Sequence, residues 1–175
     1  MDTVELLLHP VRLRVVHAMS GGRALTTGQL CERMPDVSKA TVYRHVALLT
    51  EGGILEVDGE LRVHGAVERH YRLRRDRAVI DAETAASATV EDHRRIFATA
   101  MAALIAEFNA YLDRENSDLA ADAVGYRQHA VWLSPEELLE MIGELRAVIV
   151  PRLGYEPSAG RKRHLLSPIL FPAEE

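Results

Sequence analysis

The chain has 175 residues, of which 47% are hydrophobic and 27% are charged, as in an ordinary globular protein. No apolar run approaches the roughly 18 residues that a membrane-spanning helix needs, and the acidic N-terminus lacks the pattern of an export signal. A single cysteine, Cys31, excludes an internal disulfide framework. These features predict a cytoplasmic protein with no membrane partner.

The net charge of −5 is unevenly distributed along the chain. Residues 1–77 contain 12 Lys and Arg against 10 Asp and Glu, a balance of +2, whereas residues 78–175 contain 9 against 16, a balance of −7. A mildly basic first half and an acidic second half indicate different tasks. Because the basic surplus is small, any contact with nucleic acid would depend on the arrangement of a few side chains, and a dimer would double the number of phosphate contacts.

Residues 4–19 carry an apolar stripe of helical period that Pro10 interrupts. We therefore expect a short turn through His9 and Pro10, followed by a main helix that begins at about Val11. Arg12 and Arg14 lie off the stripe, and we expect both to be solvated rather than bound to phosphate. The following SGG sequence ends the helix.

Residues 26–49 predict two short helices separated by a tight turn. The first covers about residues 27–34, with Thr26 as N-cap, and ends before Pro35. The second begins at Ser38, whose hydroxyl can accept a hydrogen bond from an otherwise unsatisfied backbone N–H. One face of the second helix is apolar, and it consists of Val42, Val46 and Leu49.

The other side of this second helix is polar near its N-terminal end. The side chains that project there are those of Lys39, Thr41, Tyr43 and Arg44. A helix that lies in the DNA major groove needs an apolar back and base-edge readers in front. The pattern therefore favours a helix-turn-helix over an ordinary helical hairpin with a solvated face.

The next segment predicts a β-hairpin wing. Gly52 and Gly53 end the helix, residues 54–57 form a strand, Asp58-Gly59 marks a bend, and residues 67–73 return after a tip at residues 65–66. Three side chains near the tip are candidates for contact with the minor groove or the DNA backbone, namely Arg62, His64 and Arg69. The alternative is that they only keep an exposed hairpin soluble. Four arginines at the exit bind phosphate or pair with the acidic half: Arg72, Arg74, Arg75 and Arg77.

A polar linker at residues 76–88 precedes a long helix of about residues 90–113, which Thr89 and Asp92 cap. Large apolar residues recur on one side of this helix, namely Phe97, Met101, Leu104, Phe108 and Leu112. Such a stripe is typical of core packing. The length of the helix, and the need of a helix-turn-helix for a second copy, favour a dimer interface.

The remaining chain predicts strand, helix and strand. Residues 123–133 alternate in polarity, Ser134-Pro135 begins a helix that ends near Ile149, and residues 165–171 fit an edge strand. One side of the first strand would carry Tyr126, Gln128 and Trp132. We regard these three, together with Met101 and Phe108, as candidate walls of an effector pocket, although aromatic residues more often form core.

Four segments resemble, in order, the winged-helix DNA-binding domain of ArsR-type bacterial transcriptional regulators. They are residues 9–19 (HPVRLRVVHAM), 25–34 (LTTGQLCERM), 37–55 (VSKATVYRHVALLTEGGIL) and 68–73 (ERHYRL). The resemblance covers somewhat over a third of the chain, and repression is the commoner outcome among such regulators. TVYRHVALL is also similar to ferric-uptake-type regulators, so the recognition helix alone does not choose the family.

The resemblance raises the possibility of metal sensing. Metal-sensing relatives commonly carry paired cysteines on the first helix of the motif, where this chain has only Cys31, and ferric-uptake-type regulators need clustered histidines and CxxC pairs. His93 beside Asp92 and Glu91, or His129, offers a site only if a dimer joins two copies. We therefore expect no metal and no other cofactor, and we expect Cys31 to be a small buried hydrophobe rather than a redox switch.

Motifs of catalysis, such as HExxH, GxGxxG, a P-loop or a nucleophile elbow, are absent from the sequence, so no enzyme is expected. We predict a mainly α protein of the α+β class, with a winged helix-turn-helix at residues 1–78 and a helix-strand-helix-strand dimerisation and effector domain at residues 79–175.

The expected function is that of a homodimeric repressor that binds an inverted-repeat operator in double-stranded DNA and responds to a small molecule. Lys39, Thr41, Tyr43 and Arg44 would read base edges, and Ser38 would cap the helix and touch phosphate. The alternative is a winged-helix protein-interaction module without its own DNA site. The polar, basic face of residues 39–44 favours DNA.

Overall fold

The computed structural model describes residues 3–63, 66–78 and 86–173. Within these ranges the helices are α1 (Thr3–Leu7), α2 (Pro10–Met19), α3 (Thr27–Arg33), α4 (Lys39–Glu51), α5 (Val90–Leu112) and α6 (Pro135–Leu153). The strands are β1 (Leu25–Thr26), β2 (Leu55–Val63) and β3 (Ala66–Leu73). None of the helices in these ranges is long and apolar enough to cross a membrane.

Helix boundaries follow local side-chain chemistry. His9 caps α2 through its Nδ1 atom, which accepts from the Val11 N–H at 3.2 Å, and Pro10 takes the first helical position. Capping boxes begin three further helices, formed by Thr26 with Gln29, Thr89 with Asp92 and Ser134 with Glu137. The predicted starts of these helices are confirmed.

The end of α4 is set by two adjacent glycines. Gly52 is the C-cap, and a Cβ atom there would lie 2.1 Å from the Cδ1 atom of the fully buried Leu6. Gly53 has a φ of +71°, in the left-handed region that residues with a Cβ avoid. The two glycines therefore end the helix and direct the chain into β2.

The three strands form one antiparallel sheet in the order β1-β3-β2. Leu55 pairs with Leu73 at the inner end of the hairpin, and Leu25 of β1 pairs with Tyr71 of β3. A β-bulge between Val57 and Gly59 stands where the sequence predicts a bend. β1 is too short to give a sequence pattern, and it was not predicted.

One hydrophobic core joins the first four helices to this sheet. Each of these helices and strands contributes buried side chains to it. Among the least exposed are Leu6, Val15, Leu30, Val42, Leu49 and Leu55. A helix-turn-helix followed by a β-hairpin that packs on the same core is a winged helix. The predicted α+β class and winged helix-turn-helix are confirmed.

The chain divides into two compact units, Met1–Ser117 and Asp118–Glu175, so α5 belongs to the first unit. The second unit contains α6, and in its described part no strand is present. The predicted strands at residues 123–133 and 165–171 are therefore wrong. Alternating polarity produces a strand only where a second strand pairs with it and one face is buried, and here both sides of these segments are exposed.

α6 also extends beyond the predicted end near Ile149. Pro151 lies inside the last turn of the helix, which continues to Leu153. The Arg152 guanidinium donates a hydrogen bond to the Val148 carbonyl. Near the C-terminal end, only one backbone hydrogen bond is lost to the proline ring nitrogen, so the helix continues.

Candidate nucleic-acid interface

The helix α4 presents one buried and one exposed side. Val42, Val46 and Leu49 have almost no exposed surface, whereas Lys39, Tyr43 and Arg44 are exposed and Thr41 is half-buried. Tyr43 keeps 56% of its surface accessible, which is unusual for a large aromatic side chain next to a core. The structure thus brings the four predicted base-reading residues together on the first two turns of one helix.

The N-terminal end of α4 carries a small hydroxyl network. Ser38 Oγ accepts a hydrogen bond from the Thr41 backbone N–H at 3.3 Å and lies 2.8 Å from the Thr41 hydroxyl. The predicted cap is confirmed. The remaining backbone N–H groups of this first turn point outwards with the positive end of the helix dipole, which is an arrangement that favours an anion such as phosphate.

The turn between α3 and α4 is attached to α2 by a half-buried ion pair. Arg14 donates two hydrogen bonds to Asp36, at 2.6 and 2.8 Å, and only 3% of the Arg14 side chain is exposed. This hydrogen bonding lowers the pKa of Asp36 below its usual value. The prediction that Arg14 is solvated is therefore wrong, because the turn residue Asp36 draws its guanidinium into the protein.

Arg12 is also buried, and the prediction that it is solvated is wrong as well. Its guanidinium donates to the Glu5 carbonyl at 2.9 Å and so joins α2 to α1. Burial lowers the pKa of Arg12. The spacing of residues along α2 could not predict that these two arginines are buried, because their partners, the Glu5 carbonyl and the Asp36 carboxylate, lie outside α2.

His45 lies behind the exposed face of α4 and was not singled out in the sequence. It is 3% exposed, and in the described part of the chain neither of its ring nitrogens has a hydrogen-bond partner. Its ring lies 4.1 Å from the His9 ring, centroid to centroid. Burial, together with His9, Arg44 and Arg12, lowers the pKa of His45 to about 4. Its spacing from Val42 and Leu49 is the signal that predicts a buried position.

The wing contains the residues predicted to contact DNA beside the recognition helix. Arg62 is exposed on β2, and Arg69 of β3 donates to Glu60 at 2.8 Å across the hairpin. His64 falls outside the described residues. The Glu60 carboxylate raises the pKa of Arg69, so this arginine is charged and already paired on the wing.

The arginines at the exit of the wing contact the wing itself and the loop after α2. Arg72 donates two hydrogen bonds to Asp58, at 2.7 and 2.9 Å, and a third to the Gly22 carbonyl. Arg75 donates to the Ser20 carbonyl at 2.8 Å. Asp58 is the extra residue of the bulge in β2, and its carboxylate lies beside the Arg72 guanidinium.

A cavity of about 410 Å³ lies between α3 and the start of α4. Its walls include Lys39 and Tyr43 from α4 and the buried residue Cys31 from α3. Two candidate base readers therefore border a groove whose floor belongs to the same motif. In the described residues, no group of three or more potential metal-ligating side chains is present.

The residues predicted at the dimer interface lie along one side of α5. Phe97 is 48% exposed, Leu112 is exposed, and Met101, Leu104 and Phe108 are half-buried. A different side of α5 packs on α2, with Ala103 fully buried and Glu107 Oε1 3.8 Å from His17 Nδ1. Tyr126, Gln128 and Trp132, the residues predicted to line an effector pocket, are all exposed on a segment without helix or strand.

Comparison with known proteins bears on the first part of the chain. Residues 7–58 match the model of a family described as a helix-turn-helix domain. No curated protein matches the chain. The matched residues run from the end of α1 to the bulge in β2, and they include the whole of α2, α3 and α4. The first part of the chain is therefore a helix-turn-helix domain of the kind that DNA-binding regulators carry.

Proposed function

We propose that this protein is a sequence-specific, DNA-binding transcriptional regulator in which α4 lies in the major groove. The observation that carries the proposal is the exposed polar face of α4 on a helix whose back is fixed in the core. A reading helix needs both properties, because its side chains must reach base edges while its backbone stays rigid. The match to a helix-turn-helix family supports the same conclusion.

Each residue of the face has a role suited to its chemistry. Arg44 pairs bidentately with a guanine, and Lys39, Thr41 and Tyr43 contact neighbouring base edges. Ser38 caps the helix and lies where the first phosphate approaches. The wing residues Arg62, His64 and Arg69 contact the backbone or the minor groove, and Arg69 exchanges Glu60 for phosphate when DNA binds.

The active species is a homodimeric repressor of the ArsR type. In this arrangement residues 1–78 bind one half-site each, and residues 79–175 supply the dimer and effector surfaces. The exposed side of α5 that contains Phe97 and Leu112 joins the two copies, since its other side is occupied by α2. A cytoplasmic location keeps Cys31 reduced.

Regulation comes from a small molecule rather than a metal. Tyr126, Gln128 and Trp132 are the candidate contacts, because aromatic rings and an amide suit an organic ligand. The ligand changes the separation of the two recognition helices by binding one dimer arrangement more tightly than the other. This shift in population turns DNA binding on or off.

The proposal is tested by selecting bound fragments from random duplex DNA with the purified full chain at near-physiological salt. The expected result is an enriched inverted repeat whose half-sites are about one helical turn apart. Salt-sensitive binding without sequence enrichment would leave only phosphate contacts and contradict sequence-specific regulation. Absence of all DNA binding, with the chain folded, would favour a protein-interaction module.

A further inference from the structure

The second compact unit of the chain lacks a core of its own. Among its described residues, 118–173, no side chain is buried, whereas the first unit has a continuous hydrophobic core. Sixteen of its large hydrophobic side chains are exposed, including Trp132 at 86% and Leu139 at 70%. A unit that keeps a capped, 19-residue helix while exposing this many apolar groups must be covered by another surface.

The helix α6 is apolar around more than half of its circumference. At about 100° per residue, its apolar side chains span an arc of roughly 200°, about twice the stripe of a helix that covers a core on one side. The arc is marked by Leu139, Ile142, Leu145, Val148, Val150 and Leu153. One neighbouring surface covers about half of such an arc, so α6 requires contacts on two sides.

The exposed apolar area has the size of a stable interface. At roughly 50–100 Å² for each exposed side chain, the unit presents on the order of 1,000 Å² of apolar surface. A monomer seldom exposes more than a few hundred Å² in one patch, and a standard interface buries about 800 Å² on each partner. The surface is therefore large enough for a specific dimer contact.

The charges of α6 fit a second copy of the same helix. Its acidic residues, Glu136, Glu137, Glu140 and Glu144, lie on the side opposite the apolar arc, whereas Arg146 and Arg152 project within the arc and lie in the second half of the helix. Two copies that run antiparallel across a two-fold axis place the arginines of each at opposite ends of the contact and so keep these like charges apart. Residues 118–173 carry 7 acidic and 6 basic side chains, a net charge of −1, so two copies repel each other little.

We propose that residues 118–173 pack against the same segment of a second copy of the chain, with the two α6 helices antiparallel across the two-fold axis. This contact extends the proposed homodimer to a second surface beyond α5. The segments on both sides of α6 complete it, because their exposed aromatic and aliphatic groups, such as Trp132 and Phe171, flank the helix in sequence. The second unit then acquires its core only in the dimer.

Trp132 is the only tryptophan of the chain and serves as a reporter of this contact. The full-length protein is examined by light scattering together with tryptophan emission and quenching over a dilution series. We expect a dimer whose Trp132 emission is blue-shifted and protected from quencher, and we expect the protection to be lost in step with dissociation on dilution.

The variant Leu139→Asp introduces a carboxylate into the apolar arc, and Ala147→Asp introduces the same group on the polar side of α6. Leu139→Asp should raise the dissociation constant of the dimer at least about tenfold and expose Trp132, as expected for an anchor residue. Ala147→Asp should leave the dissociation constant of the dimer and the protection of Trp132 unchanged. Circular dichroism checks that both variants fold.

Three outcomes would overturn the inference. A dimer with a fully exposed Trp132 would mean that α5 alone joins the copies. A Trp132 that stays protected in the monomer would mean that the first unit of the same chain covers it. Equal behaviour of the two variants would show that the apolar arc is not the contact. None of these measurements uses DNA, so they are independent of whether the proposed operator binding succeeds.

Discussion

Arg44 and His45 are adjacent in sequence and have opposite environments, because a helix turns by about 100° between them. Arg44 is exposed beside Lys39 and Tyr43, whereas His45 is enclosed behind them, against His9. The cationic groups of α4 therefore divide into Lys39 and Arg44, which are exposed, and His45, which burial keeps neutral near pH 7. This division can be tested one residue at a time.

Replacing Arg44 by Ala should weaken binding to the selected operator by ~1–3 kcal/mol and relax the preference at one base pair, because a bidentate contact to guanine is lost. Affinities for the operator and for its single-base variants are measured by fluorescence anisotropy. Arg94→Ala, which removes an exposed arginine from α5, should have little effect. An equal loss on every DNA sequence would instead make Arg44 a phosphate contact.

Stability should fall on acidification because of His45. Its pKa is lowered from 6.5 to about 4 in the folded protein, so the unfolded chain takes up the proton first. The contribution of neutral His45 to stability is complete above pH 6.5 and declines between pH 6.5 and about 4, by roughly 2–3 kcal/mol in total. Urea unfolding at several pH values measures this slope.

The variant His45→Phe keeps an aromatic ring at the buried position and removes the titrating group. It should flatten the stability profile between pH 4 and 6.5, whereas His93→Gln, at an exposed histidine, should leave the slope as it is. Asp36, whose pKa is lowered by Arg14, accounts for a further loss at lower pH, since its protonation ends the ion pair. An unchanged slope in His45→Phe would contradict this assignment.

At the scale of elements, the turn of the helix-turn-helix is held by α2 as well as by its own residues. Arg14 connects α2 to Asp36, which lies between α3 and α4. Replacing Asp36 by Asn keeps the shape of the side chain and removes its charge, leaving a buried guanidinium with a weaker partner. Because Asp36 is partly exposed, the expected cost is moderate, about 1–3 kcal/mol.

Chemical unfolding of Asp36→Asn measures this cost. Glu32→Gln makes the same chemical change at an exposed position of α3 and should change the free energy of unfolding by less than about 0.5 kcal/mol. If both variants were equally stable, the Arg14–Asp36 pair would not contribute to the position of the turn.

The wing offers a second prediction at this scale, since its arginines are paired before DNA binds. Glu60→Gln removes the partner of Arg69 and should raise affinity for DNA a few-fold at low salt. Because Arg69 binds phosphate in both complexes, the slope of log affinity against log salt should change little. Glu51→Gln makes the same charge change at the end of α4. Equal gains in the two variants would indicate a general effect of net charge.

At the scale of the whole molecule, α5 has one side packed on α2 and another side that stays exposed. Ala103 is buried on the side that packs on α2, and Phe97 and Leu112 remain exposed about a third and a half of a turn away from it, respectively. Phe97→Asp should weaken the homodimer and reduce operator affinity, because each half-site then binds alone. Light scattering and operator titration measure the two effects, and Ala102→Asp, on the exposed polar side, serves as the control. If the dimer of Phe97→Asp had an unchanged dissociation constant, Phe97 would not be part of the interface.

Local sequence signals determined the helices and the hairpin. The sequence alone predicted the N-caps at Thr26, Ser38, Thr89 and Ser134, because a cap depends only on residues within one helical turn. The sequence also predicted which side of α4 is exposed, because the spacing of Val42, Val46 and Leu49 identifies the buried side. A helix-turn-helix with a wing follows from such short-range information.

Only the tertiary structure decided which polar groups are buried and which segments form strands. Arg14 became internal because Asp36, 22 residues away, approaches it, and β1 became a strand because β3 lies beside it. Residues 123–133 alternate in polarity but remain irregular, since no described strand pairs with them. Ion pairs and sheets depend on partners distant in sequence, and the periodicity of one segment does not contain that information.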